Sequence, residues 1–495
     1  MNPPAAGPDV AWRVETNGIG VIPDTGRHGR PAELFSIWFA ANISVLAVTY
    51  GGYLVVFYGL DLWQAVVVAT VGIVVSFALV GVIGAAGMQA GAPTLVLSRS
   101  AFGRAGNAVP TIVSYITLVG FEIVSASLAA LATQTVLGRL HLGHGTVALA
   151  VAFAVIALVA VAVSVLGHAT IVAVQTGFTV VFGALTVAFV ILELPQIPWH
   201  RVAALPPGHL LGGMGGGLSI IMAGTGITWV NAAADYSRYL DRRSRPSSVV
   251  GWTIVGSSLP LVVLVLLGAL LAAGNPAIAT SANPIGTLAA PLPTWFLVPY
   301  MVTAVGGLVA TMVLGSYSSG LNLLALGVPL RRSRSVVIDG ALMVAGSIYI
   351  LFVSPSFFAP FQGFLLTVSV PLSAWAAIFL VDRWPFRRRP ALDKTRTHDL
   401  GSTRDPASPL EPAVKWAGIV SLTAATVIGI GLVTSTSAAF SWAGYLLPLV
   451  GGRHGAIGDS SIGLIVGFAV AGLLYPALRS GLPSAPSRFG RPGRQ

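Results

Sequence analysis

Residues 212–240 read GGMGGGLSIIMAGTGITWVNAAADYSRYL, and this stretch decides the fold. It is apolar enough to lie in a bilayer, yet Gly224, Thr225 and Gly226 interrupt it near its middle. Thr228, Trp229 and Asn231 follow, and Asp235 and Arg238 close it. A glycine pair around a threonine loosens a helix. Backbone groups freed inside hydrocarbon cannot face lipid, so they must line a protein-enclosed cavity. The stretch predicts a broken helix lining a solute site, within a transporter.

The surrounding chain has membrane composition. Of 495 residues, 55% are hydrophobic and 9% charged, with mean hydropathy +0.84. Twelve hydrophobic segments follow one another, at 33–58, 64–88, 109–137, 145–166, 169–193, 212–234, 249–273, 294–326, 336–354, 357–381, 413–436 and 459–478. Each approaches the ~20 apolar residues a spanning helix needs. A further run at 440–450 is too short and reads as re-entrant or interfacial. The domain plan is a tail (1–32), a ten-helix core (33–381), a polar loop (382–412), two accessory helices (413–478) and a second tail (479–495).

The net charge of +11 is distributed by topology: 24 of 27 Lys and Arg lie in alternate connections and the tails, leaving only Arg139, Arg201 and Arg453 opposite. This is the positive-inside pattern, and it predicts a multi-pass protein of the plasma membrane with both termini cytoplasmic. No basic surface is interleaved with aromatics, which argues against nucleic acid. The loop at 382–412 is a solvated, topology-setting connection or, alternatively, a contact for anionic membrane lipid. The chain has no cysteine, which excludes disulfides and thiolate chemistry. The segment to Arg30 has no apolar h-region and does not read as a signal peptide. There is no HExxH, no GxSxG and no carboxylate pair at helical spacing, so an enzyme is not expected. A passive channel is disfavoured by the lack of a charged ring or TVGYG-like filter.

Segment one, FSIWFAANISVLAVTYGGYLVVF, carries polar Asn42 and Ser44, and Tyr50-Gly51-Gly52 is expected to weaken it beyond them. If segments 1–5 and 6–10 are two halves, each begins with a Gly-interrupted helix. Five spans is an odd number, so the halves enter from opposite sides, and interrupted segments at matching positions point to a midplane site. The competing reading is that these glycines serve close helix packing.

Residues 91–110, GAPTLVLSRSAFGRAGNAVP, carry the most specific pattern. Gly91 and Pro93 end one helix, Arg99 and Arg104 hold the loop, and Gly103, Gly106 and Pro110 shape the turn into the next. This stretch resembles the connection between segments two and three in nucleobase:cation symporter family 1, the cytosine and purine permease group. FSIWFAANI with Trp38 and Asn42, AADYSRYL with Asp235 and Arg238, and YSSGLNLLALGVPLRRSRSVVIDG from Tyr317 are similar to it as well. The resemblance covers about residues 30–385. It implies an all-α LeuT-like fold of five-plus-five inverted repeats with two added C-terminal helices. It also implies uptake of a nucleobase or related ring coupled to H⁺ or Na⁺, with no organic cofactor; oligomeric state is left open.

A planar heteroaromatic solute is best gripped by aromatic faces, with polar groups reading its edge. In the resemblance Phe121 falls where the family usually has a stacking tryptophan. Glu122 is read as the one acid well inside a span, available to bond ring N–H groups, to carry a proton, or as a structural carboxyl. Gly224, Thr225 and Gly226 are ring-edge candidates, Trp229 stacks or packs, and Asn231 is a weaker contact. For the cation, the resemblance points to carbonyls near the first break, around Asn42 to Val45, and to hydroxyls of segment eight, Thr311 with Thr303 as alternative. Between Ala310 and Tyr317 there is no amide or carboxylate, where the family often has Asn or Asp; this departure implies either another ring than cytosine or reliance on Glu122, the runner-up substrate being allantoin, a hydantoin or a vitamin-like heterocycle. Asp339, beside the arginines, reads as a loop-end ion-pair partner.

Overall fold

The computed structural model describes residues 9–143, 145–281, 283–353, 358–383, 412–435 and 437–480. The polar loop and C-terminal tail singled out above lie largely outside them. Helices α1 (Glu33–Asn42) and α2 (Val45–Val56) form the first segment and α3 (Leu62–Ala90) the second. Then come α4 (Ala108–Arg139), α5 (Thr146–Leu166), α6 (His168–Glu193) and α7 (Gly216–Gly224). The chain continues through α8 (Pro246–Ala272), α9 (Leu297–Ala325), α10 (Arg332–Phe352), α11 (Phe358–Arg383), α12 (Pro412–Ile430) and α13 (Gly463–Ser480).

Among the described residues ten helical segments are long and apolar enough to span a membrane, and the bent α1–α2 pair makes an eleventh. The apolar part of α12, Trp416–Ile430, is shorter. Residues 440–450 hold only single turns within Ala438–Phe440 and Leu447–Val450, as their length required.

Local chemistry sets the ends. Asp61 accepts from the Gln64 amide at 2.8 Å while the Gln64 side chain accepts from the Asp61 amide, a capping box that starts α3. Gln64 also clamps Gly208 through both backbone groups, tying the α2–α3 turn to the approach to α7. Gly91 ends α3 at φ +69°, a conformation open to glycine. In the bundle α9 runs along α4, α8 runs along α2 and α3, and α12 and α13 pack on α11.

The first interruption falls around Asn42 to Val45, where the resemblance put it, and not at the glycines beyond. α1 stops at Asn42, Ile43 and Ser44 are extended, and Ser44 caps α2 by accepting from the Leu46 amide. The two halves bend by 62°. Gly51 and Gly52, read as the weak point, sit inside α2 and let it touch α8. A Cβ on Gly51 would lie 1.8 Å from the Val265 carbonyl oxygen, and one on Gly268 1.9 Å from that of Val48. Small residues here permit close approach rather than unwinding.

Candidate functional site

The second interruption falls where the sequence put it. α7 ends at Gly224, Thr225 takes φ −124°, ψ −112°, a 3₁₀ stretch Gly226–Ala232 follows, and a last turn Ala233–Ser237 closes the segment. The Thr225 hydroxyl donates to Ile221 O at 2.6 Å and lies 3.4 Å from Ser76 Oγ, so it faces α3. Thr228 donates back to Thr225 O at 2.8 Å, satisfying one freed carbonyl. A Cβ on Gly224 would meet the Tyr50 ring at 2.7 Å, and one on Gly226 would meet Ser76 and Phe77 at 2.5–2.8 Å. Both glycines therefore allow contact with neighbours. A larger side chain at 226 would strike the α3 backbone, not fill a solute cavity.

Trp229 meets Trp38 of α1 edge-on at 5.5 Å, and Trp38 meets Phe77 and Tyr236 the same way. The two interrupted segments thus cross at an aromatic cluster, which joins Trp229 to the FSIWFAANI motif. Asn231 donates to Ser114 Oγ at 2.7 Å, as does Asn322 from α9, so this amide ties the segment to α4. Its Oδ1 is buried without a partner.

On α4 the adjacent candidates face different neighbours. Phe121 is half-buried against Phe361 and Phe364 of α11, with ring centroids 6.0 and 6.5 Å away. Glu122 accepts from Ser316 Oγ at 2.7 Å and Ser319 Oγ at 3.2 Å, both on α9, and is 1% exposed. It is not the only acid inside the bundle. Asp339, expected at a loop end, is fully buried and faces Glu122, Ser316, Ser319 and Tyr115.

At the first interruption the Asn42 amide turns back to Trp38 O, and Thr311 donates to Ala41 O at 2.7 Å and Gly307 O at 3.0 Å. Gly307 lies against Ile43; a Cβ there would be 1.7 Å from its carbonyl. Val45 and Thr303 line a cavity of about 30 Å³ with Ser44, Thr186 and Tyr300. The Thr303 hydroxyl bonds its own helix at Pro299 O, whereas Thr186 Oγ1 is buried without a partner. The four cation candidates thus cluster around one break, with Asn42 and Thr303 engaged locally. Among the described residues no group of three His, Cys, Asp or Glu could hold a metal.

The motif at 91–110 interlocks with AADYSRYL. The Thr94 amide and hydroxyl donate to Asp235 Oδ1 at 2.8 and 2.9 Å, and the Ala234 amide donates to Thr94 Oγ1. Arg99 reaches Ala325 O at 3.0 Å.

Sequence reasoning missed the N-terminal segment, which crosses the arginine-rich end of the bundle. Glu15, fully buried, pairs with Arg238 at 2.9 Å and Arg332 at 3.6 Å and accepts from the Tyr239 hydroxyl at 2.5 Å. Asp9 pairs with His168 at 2.9 Å. Burial works against the Asp9 carboxylate, but the His168 hydrogen bond and charge, the Ala169 amide and Arg238 outweigh it and hold its pKa below the usual 3.8. A lowered carboxylate adds stability that is complete above the unfolded value and lost as pH falls through the folded one. Asp9→Asn is therefore expected to lower the melting temperature at neutral pH, with the gap to wild type closing below about pH 4; a gap constant with pH would remove Asp9 from the latch.

A family model described as permease for cytosine/purines, uracil, thiamine, allantoin matches residues 21–447. The proposed purine-cytosine permease YxlA of Bacillus subtilis is 26% identical over 484 residues, covering 94% of this chain and 96% of its own. The purine-cytosine permease FCY21 of Saccharomyces cerevisiae is 24% identical, covering 89% and 82%. Mhp1, a nucleobase-cation-symport-1 transporter solved closed with bromovinylhydantoin bound, superposes with TM-score 0.68 at 16% identity over 98% and 97% of the chains. A Na⁺-coupled sialic acid symporter follows at 0.61 and 10%, over 92% and 91%. With two opposed interrupted segments inside a LeuT-like bundle and a match across most of its length, the chain belongs to the nucleobase:cation symporter family, the permeases for cytosine, purines, uracil, thiamine and allantoin.

Proposed function

We propose that this protein is a cation-coupled importer of a nucleobase-like heterocycle in the plasma membrane, working by alternating access and not as an enzyme. Its N-terminal segment and C-terminus lie in the cytoplasm, residues 33–381 form the transport core, and the last two helices are accessory. One observation carries the reading: both segments that begin the two halves are interrupted, and they meet at Trp38 and Trp229. Aromatic rings and freed backbone groups at one depth are what a flat, polar-edged solute needs, and intact helices would offer neither. Phe121 and Trp229 are the ring contacts; the Ala41 to Val45 stretch with Thr311 is the cation region.

A second reading, a hydantoin- or allantoin-like substrate, has its own support. No amide stands between Ala310 and Tyr317, and Asn322 beyond them is already bonded to Ser114. Competition among labelled cytosine, hypoxanthine, uracil and allantoin separates the two. Phe121→Ala is expected to weaken ring binding roughly tenfold, about the 1.4 kcal/mol of one aromatic contact, while Phe121→Trp keeps it. Equal affinities in both variants would remove Phe121 from the site.

A further inference from the structure

Glu122 and Asp339 are both buried, at 1% and 0% exposure, in a scaffold of three helices. Neither forms an ion pair with a described cation. Glu122 is well supplied with donors, holding Ser316 and Ser319. Asp339 is held more loosely: Tyr115, Ser316 and Ser319 stand around it, but neither of its oxygens makes a hydrogen bond of good geometry. Two buried carboxyls that face each other with no cation beside them are a costly arrangement unless a proton lies between them. Like charges so placed cannot both persist, and such pairs share a proton.

Among the described residues the surroundings offer no other neutralising group. From α4 comes Tyr115. From the second interrupted segment comes Tyr236, whose hydroxyl is held by Leu314 O and Ser318 Oγ at 2.7 and 2.8 Å. On α9, Tyr317 is turned away to Arg238 and Glu15. α5 has no titratable side chain, and α11 has only Asp382 and Arg383 at its end.

We propose that Glu122 and Asp339 form a proton-binding site between α4, α9 and α10, and that this site carries the proton that drives uptake. The inference rests on the transport reading and names its coupling ion. The pair alternates between singly and doubly protonated forms; the added proton binds a carboxylate oxygen and leaves to water, and no other bond changes. Position gives it a route to the moving part. Ser318, between the two serines that hold Glu122, bonds Tyr236 of the interrupted segment, so loading the pair alters the α9 stretch that Tyr236 grips. Asp339 lies about two turns, roughly 10 Å, along α10 from Arg332, where the Glu15 latch closes the arginine-rich end.

The test uses purified full-length protein in liposomes with labelled cytosine, hypoxanthine, uracil or allantoin. Under an inward acid gradient, wild type should accumulate label with accompanying proton entry. Asp339→Asn and Glu122→Gln should still exchange label, yet their accumulation ratio should fall to one; Asp339→Glu should keep it. An infrared band of a protonated carboxyl should be present in wild type at neutral pH and lost from the double variant Glu122→Gln, Asp339→Asn, a readout independent of transport. Undiminished accumulation in both amide variants, accumulation driven by Na⁺ without proton entry, or no such band would each overturn the proton site. Failure of wild type to bind or exchange any of the labels would instead sink the transport reading, while the infrared band still decides the pair.

Discussion

Gly268→Ala is expected to yield a protein that no longer folds stably or transports. The added Cβ would sit 1.9 Å from Val48 O, and its mirror, Gly51 against Val265 O, leaves 1.8 Å. Neither neighbour is a flexible side chain that can swing aside; both are helical backbone. Overpacking a core with one or two methyl groups ordinarily costs about 1–3 kcal/mol, and a clash with backbone on both helices puts this site at or above the top of that range. Melting in detergent, followed by fluorescence, is the measurement. A variant with wild-type melting and uptake would show that α2 and α8 separate freely, and the close-contact account would be wrong.

Glu15→Gln is expected to open the arginine-rich end. Arg238 and Arg332 are almost wholly buried, and one carboxylate serves both. Removing one partner of a buried pair costs about 3–5 kcal/mol because the remaining charge is left uncompensated. Here the bundle can relieve that cost by letting water in. The absence of cysteine makes a clean reporter available. Ser318→Cys, buried at the Tyr236 contact, should resist a membrane-impermeant thiol reagent in the wild-type background and react in the Glu15→Gln background. Equal protection in both would mean the latch does not hold this face shut.

Hydropathy was sufficient for the spans because a ~20-residue apolar run has few other uses. The break at Gly224–Gly226 was legible for a related reason, since two glycines around a threonine weaken a helix by composition alone. The first break, around Asn42 to Val45, was legible through the resemblance, but the glycines beyond it misled. Gly51 and Gly52 look the same in sequence as Gly224 and Gly226, and only the partner helix, α8, decides that they pack. The true break at Ile43–Ser44 depends on Ser44 acting as a cap, a role that many serines in membrane helices do not take. Of the site residues, Trp229 packs edge-on against Trp38 and Thr311 bonds Ala41 O beside the first break, while Thr225 and Gly226 turn to α3 and Asn231 to Ser114. Asp339 was misjudged because arginines adjacent in sequence suggest an ion pair, whereas helical geometry carries it two turns inward to Glu122. Glu15 gave no local signal at all, its side-chain partners being 153 residues and more away.

That separation bears on how the protein is made. The segment carrying Glu15 leaves the ribosome well before Arg238, and Tyr317 and Arg332 emerge only after most of the helices have been threaded into lipid. Until then the acid can accept from the His168 amide but has no cation to pair with, and the growing bundle must remain unsealed on that side. Closure is therefore one of the last events of biogenesis, and a bulky fusion at the amino terminus would interfere at that late moment while leaving earlier insertion untouched.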